Sequence, residues 1–291
     1  MTFTATAQTA TYNIDVRYLT TVTGTRKEAF DSAVAFWQRI IYGDVPDVSV
    51  NIPAGSCFPQ QPAMNETVDD IVIFVILDSI DGPGKILGQA GPCYRRSSSK
   101  LPIMGLMHFD TADVQTLQNN GQLTEVILHE MGHVLGFGTI WSNDQYGLSL
   151  LVGPTYQGGT DPHFIGSQAL ATFDRIGGTS YTGGAKVPVE NCCTPGGGTN
   201  DSHWRESVFG NELMTGFINA GTNPLSVLTI ASMGDEAYTV NYAAAQPYSH
   251  PFSLLAAPAP TASTVHLEND ILNLPIYMVD AAGRVTGVWR R

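Results

Sequence analysis

The residues of this chain whose types and spacing could do chemistry are His129, Glu130 and His133, in the pattern His-Glu-x-x-His. On a helix, positions four apart lie on one face about one turn apart, so both imidazoles can reach a single metal ion. Glu130 is rotated by about 100° from His129, beside the ion, where a carboxylate can serve a bound water as base. Zinc suits such a site because it accepts imidazole nitrogen and tolerates an open fourth position for water. Leu123, Val126, Ile127, Met131, Val134 and Leu135 recur at helical spacing around the pair, and Gly136 comes next. One face of this helix is therefore expected in a core and the other at the metal.

A three-imidazole site needs one more histidine. The compact form of the extended motif would place it at position 139, which is Thr139. The remaining histidines are His108, His163, His203, His250 and His266. His108 falls in a strand and reads as a packed or rim residue. His163 lies in a Gly/Pro-flanked loop and is a rival ligand. His250 and His266 flank a linker-like stretch and read as solvated. Cys192 and Cys193 offer thiolates, but a fourth tight ligand would take the place of the catalytic water. His203 is set apart by its downstream neighbours: Trp204-Arg205-Glu206, then Asn211-Glu212-Leu213-Met214-Thr215-Gly216.

His129–Gly138, with His203-Trp204-Arg205-Glu206 and Asn211–Thr215 far downstream, resembles the leishmanolysin family of metzincin metallopeptidases. The later Val240-Asn241-Tyr242 resembles that family's C-terminal part, and the likeness runs roughly from Tyr12 to Tyr248. The resemblance implies that His203, seventy positions after His133, is the third zinc ligand. It implies that Met214, eleven positions further on, lies beneath the metal without binding it. It also implies one catalytic Zn2+, protein or peptide substrates, and an edge strand on the upper rim that pairs with an extended substrate. Leu101–Phe109 is the candidate for that strand. Glu130 is then general base and afterwards general acid in peptide hydrolysis. Glu206 and Glu212 read as structural, holding the loop or pairing with Arg205. With no recognisable pro-segment and few cysteines, the chain looks closer to compact bacterial relatives, so latency and membrane anchoring are not carried over.

The elements that position these residues read as an α/β N-terminal lobe followed by a less regular C-terminal lobe. Tyr12–Leu19 and Val48–Ile52 alternate apolar and polar residues, as strands do. Thr25–Glu28 reads as a capping box opening a helix with an apolar face of Phe30, Ala33, Val34, Trp37, Ile40 and Ile41, stopped at Gly43. Ile71–Leu77 is a continuous apolar run, as expected of a parallel strand covered on both faces. Leu101–Phe109 reads as a strand, and Thr111–Leu117 as a short helix. Downstream, Gly166–Ile176 and Asn223–Met233 are helical candidates. Leu274–Trp289 reads as a hairpin around Asp280–Gly283. The expected division is 11–138 (a zincin-type twisted mixed sheet with helices, ending in the zinc helix), 139–255 (third ligand and methionine turn), 256–264 (linker) and 265–291 (a hairpin extension). The resemblance makes the whole a metzincin architecture.

Composition bounds the function classes. The chain has 291 residues, 43% of them apolar, enough for a sizeable core. A formal net charge of −12 with 14 Lys+Arg argues against nucleic acid or an anionic membrane as partner. No segment has the apolar length of a membrane-spanning helix. Met1–Ala10 shows neither a basic n-region nor an apolar h-region. An extracellular or secreted location is nonetheless expected, with the cytoplasm as alternative, for a monomer. Cys57 and Cys93 are the favoured disulfide; Cys192 and Cys193 are either a vicinal disulfide or free. Two other readings stand beside the peptidase: an inactive zinc-binding or adhesion module, and a purely structural zinc site.

Overall fold

The computed structural model describes residues 11–193, 198–249 and 265–289. The N-terminal half runs β1 (Ile14–Tyr18), α1 (Gly24–Ile40), β2 (Val48–Ile52), β3 (Met64–Val68), β4 (Ile71–Asp78), β5 (Gly88–Arg96), β6 (Pro102–Asp110), α2 (Thr111–Asn119) and α3 (Leu123–Leu135). Shorter elements come after it: β7 (Leu151–Val152), β8 (His163–Phe164), α4 (Ser167–Phe173), α5 (Thr179–Thr182), β9 (Val187–Pro188), α6 (Glu206–Phe209), β10 (Phe217–Ile218) and α7 (Val227–Asp235). The chain ends in β11 (Val265–His266), β12 (Ile276–Val279) and β13 (Val285–Trp289).

The main sheet has the order β1-β4-β6-β5-β12-β13. β1, β4 and β6 are parallel, β5 is antiparallel to β6, and β12 runs parallel to β5. β4 explains its own apolar run. Ile71, Ile73, Val75 and Leu77 enter the core shared with α1 and α3, while Val72, Phe74 and Ile76 enter a second core under β2 and β3. A strand covered twice has no reason to alternate. Cys57–Cys93 is a disulfide on the second side, tying the β2–β3 side to β5.

α3 is held in the first core by its apolar face and by two side-chain clamps. Trp37 Nε1 donates to Leu128 O at 3.0 Å, one residue before His129. Tyr238 OH donates to Leu135 O at 2.8 Å, at the end of the helix. Burying each large side chain of this core contributes about 1.5–3 kcal/mol, which makes α3 a rigid platform.

Several expectations are corrected. No capping box forms: the N-cap is Thr23, without a side-chain hydrogen bond, and Thr25 instead accepts from Gln118 Nε2 at 2.7 Å. α1 ends before Gly43, at Ile40, because Ile41 turns extended and bridges to Val240. Leu101–Phe109 is a strand, as β6, but not an edge: β4 and β5 flank it. β3 and β5 were not expected at all. The C-terminal hairpin forms around Asp280–Gly283, yet it is no appendage, since β12 pairs with β5 in the main sheet. The linker at 256–264 and His250 lie outside the described residues.

Candidate metal centre

Helical spacing places His129 and His133 one turn apart on α3, with both rings buried. The third imidazole arrives from the loop after β9. Glu190 N donates to His203 O at 2.9 Å, and the Asp201 carboxylate accepts from Thr155 N at 2.8 Å and Thr155 Oγ1 at 2.6 Å. This loop docks on the turn after α3 at Gly138, where φ is +73° and a Cβ would stand 2.1 Å from Ser202 O. Only glycine permits that approach.

The three Nε2 atoms converge: 2.9 Å between His129 and His133, 3.1 Å between His129 and His203, and 3.0 Å between His133 and His203. Each Nδ1 faces a backbone carbonyl: Leu213 O at 2.8 Å, Phe137 O at 2.9 Å and Thr199 O at 2.8 Å. A carbonyl only accepts, so each Nδ1 carries the proton and donates. In the neutral rings the Nε2 atoms then present lone pairs to one point, an arrangement that a cation resolves. Tetrahedral zinc with Zn–N of about 2.0–2.1 Å sets its nitrogens about 3.3 Å apart, a few tenths of an ångström from what is seen. The donor set therefore fits zinc. Burial pushes the His129 and His133 pKa values down, toward the neutral form that a metal requires. Burial pushes His203 down as well, but the charge and hydrogen bond of Asp270, with the Thr199 carbonyl and the Glu190 charge, together outweigh it and the net shift is upward.

Asp270 is the residue that sequence reasoning missed. Its Oδ2 lies 2.9 Å from His203 Nε2, 3.3 Å from His129 Nε2 and 3.8 Å from His133 Nε2. Burial opposes its charge, but the positive charge of a protonated His203 beside it prevails and holds the carboxyl far below its usual range. Together His129, His133, His203 and Asp270 form a buried four-residue group able to hold an ion. No spacing signal in the sequence singles out Asp270.

Glu130 is fully buried, and neither carboxylate oxygen has a hydrogen-bond partner among the described residues. Burial, then the Asp270 charge, push its carboxyl well above the ordinary carboxylate range. Met214 lies against α3 at Gly132, between His129 and His133 in sequence, where a Cβ on Gly132 would meet Met214 Cε at 2.9 Å. Glu212 holds this turn, as expected, by accepting from Met214 N, Ser226 N, Ser226 Oγ and Thr229 Oγ1 at 2.6–2.9 Å. Arg205 pairs with Asp161 rather than with either glutamate.

The other candidates stay away from this group. His108 Nε2 contacts Asp78 Oδ1 at the rim of β6. His163 Nδ1 donates to Asp161 O at 2.9 Å. His266 is half-buried rather than solvated, because its ring stacks on Phe217 at 4.5 Å. Cys192 and Cys193 are bonded to each other and offer no thiolate.

No curated protein matches the chain. The family model described as Leishmanolysin matches residues 44–251. That span contains the three histidines, Glu130 and Met214, and it ends before Asp270. A match over more than half the chain, on the segment that builds the three-imidazole cluster, places this protein in the leishmanolysin family of peptidases.

Proposed function

We propose that this protein is a zinc-dependent endopeptidase of metzincin type, acting on extended polypeptides, with His129, His133 and His203 as the ligands. The observation that carries the reading is the convergence of three Nε2 atoms at 2.9–3.1 Å beside a buried carboxylate without a partner. Zinc, when bound, supplies Lewis acidity that polarises the scissile carbonyl and acidifies water. Glu130 accepts a proton from the attacking water and returns it to the nitrogen of the leaving amine. Burial shifts its carboxyl upward, which makes the ionised form a stronger proton acceptor. The carbonyls of Leu213, Phe137 and Thr199 hold the three rings in the ligand tautomer. Residues 88–92 of β5, which β12 leaves uncovered because it pairs only with Tyr94, Arg95 and Arg96, replace β6 as the stretch an extended substrate would follow. An extracellular or secreted site of action belongs to the same proposal.

The test is Glu130→Gln. The variant is expected to keep equimolar zinc while casein cleavage, abolished by a chelator in the wild type, falls by about 10²–10⁴-fold. Unchanged cleavage would remove Glu130 from this role.

A second reading has one observation in its favour. Asp270 brings the number of metal-facing side chains to four, the count of a closed structural zinc site. The chain would then be an inactive zinc-binding or adhesion module.

A further inference from the structure

Asp270 plays no part in the peptidase chemistry just described. It comes from the stretch 265–272, beyond the residues that the family model matches. The metal group it completes is shut: His129, Glu130, His133, His203 and Asp270 are each 0% exposed. A peptide bond has to reach those atoms to be hydrolysed. A cleft of about 720 Å³ lies nearby, between Asn269, Ile271 and Leu272 on one side and Gly138, Asn200 and Ser202 on another. None of the five enclosed residues lines it.

The end of the stretch, at Asp270 to Leu272, is joined to β5 by a parallel bridge. Ala90 N donates to Asp270 O at 2.7 Å, and Leu272 N donates to Ala90 O at 2.9 Å. Ala90 and Ile271 are paired in parallel, and Gln89 Nε2 donates to Asn269 O at 2.7 Å. This is the main-chain pairing by which an extended peptide adds to a sheet. Upstream, the same stretch is fastened to the other lobe. β11 pairs with β10, Leu267 N donates to Gly216 O at 3.0 Å, and Thr199 Oγ1 donates to Leu267 O at 3.1 Å. Residues 265–272 thus bridge from the methionine-turn side to β5, across the metal group. Asn269 turns the chain there with a φ of +53°, which asparagine tolerates better than most residues.

We propose that 265–272 is a built-in inhibitor. Its backbone occupies the place of an extended polypeptide on β5, and Asp270 puts a carboxylate where the attacking water has to sit. The proposal rests on the peptidase reading. A catalytic zinc site holds three protein ligands and leaves one position open, whereas a carboxylate as fourth ligand closes it. Glu130, facing a filled fourth position, would then have no water to act on.

The experiment uses the full chain loaded with zinc, as wild type, Asp270→Ala and Leu272→Pro. The second variant removes the N–H donor to Ala90 O while leaving Asp270 in place. Three quantities are read: zinc stoichiometry, equilibrium binding of a fluorescent peptide hydroxamate, and casein hydrolysis, with folding checked by near-ultraviolet circular dichroism. Both variants are expected to keep equimolar zinc and to bind the hydroxamate at least about tenfold more tightly, because the open form no longer competes with its own chain. Casein hydrolysis is expected to rise by a similar factor. Tighter hydroxamate binding without hydrolysis upholds the inhibitor and refutes the peptidase. Loss of zinc from folded Asp270→Ala makes Asp270 a resident ligand and overturns the inhibitor. Unchanged hydroxamate binding in the folded variants overturns it as well. Should Asp270→Ala fail to fold, Leu272→Pro decides by the same readings.

Discussion

Gly138→Ala tests how the third imidazole is delivered. At Gly138 φ is +73°, and an added Cβ would lie 2.1 Å from Ser202 O and 2.8 Å from Ser202 Cα. Real Cβ atoms essentially never come within 3.0 Å of such a neighbour, so the Ser202 backbone has to retreat by about 1 Å. Ser202 directly precedes His203, and metal–ligand distances tolerate only about ±0.2 Å. Displacing a ligand outright should cost at least the upper end of what losing a supporting partner costs, about 100-fold in zinc affinity or about 2.7 kcal/mol. The substitution also carries left-handed backbone strain of about 1–2 kcal/mol, which has to be separated from the contact. Gly121 supplies the control: its φ is +74°, with nothing within 4 Å of the added Cβ. Gly121→Ala should show the strain alone, as a fall of a few degrees in Tm with wild-type zinc affinity. Gly138→Ala should show both the fall in Tm and the loss of zinc, measured by competition with a chromophoric chelator. If the two variants bind zinc within about threefold of one another, under 1 kcal/mol, then the Gly138 contact does not position His203 and the reasoning fails.

Two further outcomes concern buried glutamates. Burial raises the Glu236 carboxyl from 4.5 to about 8, so the folded state holds that proton more tightly and stability is lost as pH rises between those values. Glu236→Gln keeps an acceptor for Trp141 Nε1 and cannot ionise, so its advantage over wild type should grow across that window to at most about 5 kcal/mol. Urea unfolding at about pH 5 and about pH 9 measures this, and an equal difference at both refutes it. Glu212→Gln leaves an NH2 group facing the Met214 N–H, which should cost about 1–3 kcal/mol of stability and weaken zinc about 10–100-fold through Leu213 O and His129. Unchanged chelator competition would show that the methionine turn does not orient His129.

What the sequence displayed depended on whether the signal was local. α3 was legible because its apolar period and its histidines share one helix, and β4 because double burial writes a continuous apolar run. β5 was hidden: Gly88, Gly91, Pro92, Arg95 and Arg96 break any alternation, and its state is imposed by β6 on one side and β12 on the other. The place of β6 in the sheet was hidden too, since strand order is set by packing and not by residues within the strand. His203 stood out through a family pattern rather than through any spacing that geometry requires. Asp270 had not even that: it comes after Glu268 and Asn269 in a polar stretch and acquires its meaning only by pairing with Ala90.

Glu130 on α3 and Glu212 and Glu236 packed near it are all buried, and burial alone does not single out a reactive one. Glu212 receives four hydrogen bonds, so its charge is spent on holding the methionine turn. Glu236 receives one from Trp141 Nε1, and its other oxygen faces the backbone at Gly136, past the end of the helix. Glu130 receives none. A buried carboxylate without donors costs about 1–3 kcal/mol per lost partner, a cost that packing would normally remove by supplying a serine, an asparagine or a backbone N–H. The fold supplies such donors to Glu212 seventeen or fewer residues away in sequence, so they are within its means. At Glu130 it supplies none, although the neighbouring imidazoles each receive an orienting carbonyl. The difference between oriented imidazoles and an unsatisfied carboxylate beside them is what the proposed general base would require: rings fixed before an ion arrives, and oxygens left with lone pairs for a water that is not part of the fold.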